Sequence, residues 1–209
     1  MKPVCLVLGA GAGIGGTVAA KFAQEGYHSY LCRRSDQEGL DRLIGNIKES
    51  GGEASGCLMN AIEENSIEET INMVEKDIGP IEVLVYNLGA QTGMKLLHQT
   101  SYKEFEWGWR MASFGLFRAA KVLCPLMVER GKGNILVTSA TAAMRGNKNQ
   151  HSHAAAMGAR RMLCQSLNAE FGRQGIHVAH IVVDGAVDAP DTLGKMLGPE
   201  LYQQMRETR

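Results

Sequence analysis

The chain has 209 residues, 44% of them hydrophobic, and its 22 basic residues are balanced by 22 acidic ones. That length suits one sizeable domain with a full core, and the charge balance excludes a global basic field for nucleic acid and an acidic solvating tail. Five cysteines, odd in number and without a C-x-x-C pair, argue against a disulfide framework or a zinc site. With no apolar run of ~18 residues and no signal peptide, a soluble cytoplasmic protein without a membrane partner is expected.

Five apolar residues, Val4 to Leu8, lead into Gly9-Ala10-Gly11-Ala12-Gly13-Ile14-Gly15. An apolar run bounded by glycine predicts a strand buried on both faces. Val18, Ala19, Phe22 and Ala23 at helical spacing predict a helix over 16–26. Glycines between strand and helix let the backbone approach a pyrophosphate, which the helix N-terminus can hold. A plain tight turn is the alternative; the spacing, strand and helix together favour a dinucleotide site.

Further along, 27–32 reads as a second strand and 36–50 as a helix stopped by Gly51-Gly52. A third strand is expected at 54–59 and a helix at 63–77, with Ile67, Ile71 and Val74 inward. Ile81 to Tyr86 makes a fourth strand. Ser101 with Glu104 forms a capping box for one helix running to about Val128. Trp107 and Trp109, two residues apart on it, point in different directions and suit core and interface roles. A fifth strand at 133–138, a helix at 151–172, a sixth strand from Ile176 to Val183 and a helical tail over 190–209 complete the chain. Strand–helix alternation six times over implies an α/β doubly wound fold, a parallel sheet of six or more strands with helices on both faces. Ligands in such folds lie beyond the carboxyl ends of the strands, beside the first.

Several segments resemble the short-chain dehydrogenase/reductase family over essentially the whole length. Gly9, Gly13, Ile14 and Gly15 match its G-x-x-x-G-I-G loop, and Asn87-Leu88-Gly89 its N-A-G segment. Gly133 to Ser139 match the run into its fifth strand, and Leu167-Asn168-Ala169-Glu170 the end of its long helix. The resemblance implies a single Rossmann dinucleotide-binding domain over 1–209. Residues 188–209 would be a lid or tail, and the family's usual final strand is missing from the sequence. It also implies a nicotinamide dinucleotide held by Gly9, Gly11, Gly13, Ile14, Gly15, Asn60, Ala61, Asn87 and Gly89, a small carbonyl or alcohol substrate, and a homo-oligomer. Where NAD enzymes of the family carry an acid after the second strand, this chain has Arg33-Arg34, which favours NADP over NAD; alternatively the two arginines are solvated loop cations. No metal is implied.

The family's catalytic asparagine, serine, tyrosine and lysine fall on Ser113, Ala140, His153 and Met157. All four are changed. His153 is the best substitute acid/base, since imidazole exchanges protons near neutral pH, although it also reads as a polar helix-entry residue. Ser139, one position from the serine, is a weaker candidate because alternation along a strand turns it the other way. His151, in the loop or first helical turn, ranks with Ser139. Arg160 or Arg161 would compensate for Met157 if either reached back along the helix, but solvated side chains are the expectation. Two functions remain: an NADP(H)-dependent oxidoreductase using His153, or a nucleotide-binding pseudoenzyme serving as sensor or interaction subunit.

Overall fold

A computed structural model describes residues 2–89, 94–185, 187–189, 193–194 and 197–207. Its six strands are β1 (Val4–Leu8), β2 (His28–Arg33), β3 (Glu53–Leu58), β4 (Ile81–Tyr86), β5 (Gly133–Ala140) and β6 (Ile176–Val183). They lie in the order β3-β2-β1-β4-β5-β6, and every neighbouring pair is parallel. The helices are α1 (Ile14–Gln24), α2 (Gln37–Glu49), α3 (Ser66–Asp77), α4 (Tyr102–Trp109), α5 (Gly115–Arg130), α6 (His151–Phe171) and α7 (Pro199–Glu207).

Strand alternation divides the core in two. Cys5 and Val7 of β1 join Ala19, Leu40 and Ile47 of α1 and α2 on one face. Val4, Leu6 and Leu8 join Ile67 and Ile71 of α3, Leu116 and Leu123 of α5, and Cys164 and Leu167 of α6 on the other. β1 is therefore covered from both sides, which is why its five residues are all apolar. The sheet is the doubly wound arrangement expected from the alternation. The order in which strands are added reverses beside β1, where the loops after β1 and β4 part and open a crevice.

Three boundaries depart from the periodic reading. Helix α3 begins at Ser66, not at 63, because residues 60–65 fold into a turn closed by Ser66 Oγ, which donates to Asn60 O (2.7 Å) and Glu63 O (3.0 Å). Strand β5 continues two residues further, to Ala140. The helix expected from Ser101 to Val128 is interrupted: residues Arg110–Phe114 form a π-turn between α4 and α5. The buried Tyr86 hydroxyl donates to Met111 O (2.6 Å) there, and a Cβ at Gly115 would overlap the Tyr86 oxygen. The phenol thus takes a carbonyl that an α-helix would use itself. The Ser101–Glu104 capping box is present, with Ser101 N donating to Glu104 Oε2 (3.0 Å) and Glu104 N to Ser101 Oγ (3.2 Å).

Between Tyr102 and Arg130 lies a stretch apolar and long enough by composition to cross a bilayer. Its apolar residues Leu116, Ala119, Ala120, Leu123 and Met127 are buried in the core. Trp107 packs against that core, while Trp109 is exposed and stacks on Phe114 at 5.3 Å between ring centroids. The expected 190–209 helix is seen as α7; residues 190–192, 195–196 and 208–209 lie outside the described residues.

Candidate active site

The glycine loop occupies the crevice, and its shape is enforced by close backbone approaches. Gly9 has φ +97°, and a Cβ there would meet the Asn87 carbonyl; one on Gly15 would overlap Gly9 O. Gly9 N and Ala10 N both donate to Cys32 O (2.9 Å each), fastening the loop to the end of β2. Asn87 Nδ2 donates to Gly9 O (2.9 Å), fastening it to the end of β4. Helix α1 begins at Ile14 with no side chain capping its first turn and no acid within it. Its free N–H groups and positive dipole end face a cavity of about 320 Å³ lined by Gly9, Gly11, Gly13, Ile14, Gly15 and Asn87, and on the far side by Gly185, Val187, Ala189 and Leu193.

The side of the crevice toward β2 and β3 is polar. Arg33, at the end of β2, is held by Asp36 (Nη2 to Oδ2, 2.9 Å), whose other oxygen caps α2 by accepting from Gly39 N (2.9 Å). Arg34 is exposed. The two arginines are therefore not equivalent: Arg33 serves the helix cap, and Arg34 is the one open to a ligand. Asn60 donates to Glu63 Oε1 (2.9 Å), and its Oδ1 is a buried acceptor without a hydrogen-bond partner. Ala61 is turned into the core and its carbonyl accepts from Arg118 Nη1 (3.0 Å), so of the expected contacts it offers least.

On the opposite side a second cavity, of about 170 Å³, lies at the carboxyl ends of β4 and β5. Asn87 lines both cavities. His153, at the start of α6, shares the second with Ser139, Ala140, Met157 and Gly89. Residues 90–93 of the adjoining loop lie outside the described residues. Ser139 Oγ donates to Met157 Sδ (3.7 Å), and both side chains are buried. Ser113, at the asparagine position, donates instead to Ala156 O (2.9 Å), tying the π-turn to α6. His151 lines a separate cavity with Leu97, Ser101, Tyr102 and Phe105, so the structure does not bring it to His153.

Arg160 corrects the expectation of a solvated side chain. It is 1% exposed and lines the His153 cavity. Its Nε donates to Ala112 O (2.9 Å), Nη1 to Thr138 O (2.6 Å) and Nη2 to Leu88 O (2.6 Å), so one guanidinium joins the ends of β4 and β5 to the π-turn. The guanidinium also lies 5.2 Å from the Tyr86 ring centroid. Arg161, its neighbour, is half-buried. The sequence carried one signal for this: Arg160 is one helical turn beyond Met157 and so on the same face of α6.

A doubly wound sheet with a glycine cradle at its switch point, beside a second cavity lined by His153, defines a Rossmann-type α/β fold. The chain belongs to the short-chain dehydrogenase family, whose sequence profile ("short chain dehydrogenase") matches residues 3–194. It is 26% identical over 200 residues to a 7alpha-hydroxysteroid dehydrogenase of Escherichia coli, covering 96% of this chain and 76% of that one. It superposes on a short-chain dehydrogenase from Rhodopseudomonas palustris with a TM-score of 0.83 at 29% identity, covering 96% and 93% of the two chains. On a gluconate 5-dehydrogenase from Burkholderia cenocepacia, solved with NADP and tartrate, the TM-score is 0.80 at 25% identity over 87% of this chain and 71% of that one.

Proposed function

We propose that this protein is an NADP(H)-dependent oxidoreductase that interconverts a carbonyl and an alcohol, with His153 exchanging the proton. The observation that carries the reading is the meeting of two cavities at Asn87, one walled by the glycine loop and the other by His153 and Ser139. The residues fit a dinucleotide. The cradle has room only while Gly9 and Gly15 lack side chains, and Asn60 Oδ1 is a buried acceptor suited to an amino group on a purine. The α1 N-terminus and the Gly9–Gly15 backbone would hold the pyrophosphate, and Arg34 the 2′-phosphate. The bound dinucleotide supplies the hydride in reduction and takes it up in oxidation.

His153 gives its proton to the substrate oxygen in one direction and removes it in the other. Ser139 orients that oxygen once its hydroxyl turns from Met157, a weak acceptor whose loss costs little. Relatives named as dehydrogenases support turnover over a purely binding role. The exposed Tyr102, Phe105, Trp109 and Phe117 on α4 and α5 support self-association, since a contiguous aromatic face invites an apolar partner. The test is consumption of NADPH against a panel of carbonyl compounds by wild type and His153→Ala, with dinucleotide binding titrated separately by fluorescence. Turnover unchanged in the variant would rule out His153, and binding without turnover of any member of the panel would favour the pseudoenzyme.

A further inference from the structure

Arg160 brings a full positive charge to the wall of the His153 cavity. Its three donor nitrogens reach backbone carbonyls only. Among the described residues no carboxylate lies within ion-pair distance of it. Burial lowers the pKa of the guanidinium, with the Tyr86 and Cys164 side chains opposing the shift. Arginine starts so high that the group stays charged at neutral pH. A buried cation without an anionic partner is costly to keep. Carbonyl dipoles and an aromatic face offset part of that cost, and the remaining field extends into the cavity beside it.

We propose that Arg160 is a positioning residue whose uncompensated charge makes this site bind the reduced form of a nicotinamide dinucleotide in preference to the oxidised form. The inference rests on the dinucleotide reading above. The two forms share their phosphates, riboses and adenine, so the glycine loop, Arg34 and Asn60 cannot tell them apart. They differ at one ring, a pyridinium cation when oxidised and a neutral dihydropyridine when reduced. With the pyrophosphate on the glycine loop and the adenosine half toward β2 and β3, the ring belongs on the β4–β5 side, where Arg160 is the charged residue lining the wall. A like charge in the wall beside the ring, at the effective dielectric of a protein interior, discriminates by about tenfold or more. Met157, in the same wall, has no charge to add or cancel.

Isothermal titration calorimetry of the whole chain with NADPH, NADP+, NADH and NAD+ tests this. Wild type is expected to bind each reduced form about tenfold more tightly than its oxidised partner. Arg160→Lys should keep the preference and Arg160→Met should bring the ratio near one. Met157→Glu, which sets a carboxylate one turn from Arg160 in the same wall, should also bring it near one with the arginine still present. Parity in wild type overturns the proposal while leaving the dinucleotide reading intact. Preference that persists in both Arg160→Met and Met157→Glu overturns it too. A purely structural arginine would weaken both forms alike and leave the ratio unmoved. If Arg160→Met does not fold, Met157→Glu and the wild-type ratio decide. Failure of wild type to bind either form defeats the dinucleotide reading first, and this proposal with it.

Discussion

Gly15 lies beneath the Gly9 carbonyl with no room for a methyl group. Gly15→Ala is therefore expected to push the loop off its anchor at Cys32 O, cost about 1–3 kcal/mol of stability, and abolish the rise in melting temperature expected of wild type with NADPH. His153→Ala should lower kcat by ~10²–10⁴-fold with little change in dinucleotide affinity, because the proposed role of the imidazole is at the proton and not at the phosphates. Arg34→Ala should weaken NADPH binding about tenfold and leave NADH binding unchanged, a comparison one fluorescence titration makes directly. The glycine loop and Asn87 were legible in the sequence because backbone needs fix their residue types. Arg160 was not: an arginine in the middle of a helix is ordinarily solvated. Only the convergence of Leu88, Thr138 and Ala112 carbonyls, 72, 22 and 48 residues away in the chain, shows that it is buried.

At the level of elements, β1 and β4 were legible as short apolar runs between glycine, proline or polar turns, whereas β3, with Glu53, Ser55 and Gly56, gives a weaker signal. Helices α1, α2 and α6 followed from spacing and stop signals. The π-turn at Arg110–Phe114 was hidden because its cause sits on another strand. Tyr86→Phe removes the hydroxyl that takes the Met111 carbonyl and should destabilise the protein by about 1–3 kcal/mol in urea denaturation. A second device ties α4 to the loop before it. The Lys95 ammonium, helped by the Ser101 N–H and hydroxyl, lowers the Glu104 pKa to about 2. Because this folded value lies below the unfolded one, the stabilisation is complete above pH ~4.5 and disappears as pH falls toward 2. Melting curves of Glu104→Gln should accordingly lie below those of wild type near neutral pH and converge with them in that acidic window.

Across the whole molecule, α4 and α5 leave Tyr102 97% exposed, with Phe105, Trp109 and Phe117 on the same helical pair. A Phe105→Glu, Phe117→Glu double variant is expected to sediment as a smaller species than wild type, with its circular dichroism unchanged. Sheet order has a consequence for synthesis. β1, the first strand made, pairs with β2 on one side and with β4 on the other. After residue 33 leaves the ribosome, one edge of β1 has no partner until residues 81–86 follow. At ~5–20 residues per second that interval lasts ~2–10 s. During it, a wholly apolar strand with free N–H and C=O groups is open to other nascent chains, so the centre of the finished sheet is the part of the growing polypeptide that most needs a chaperone.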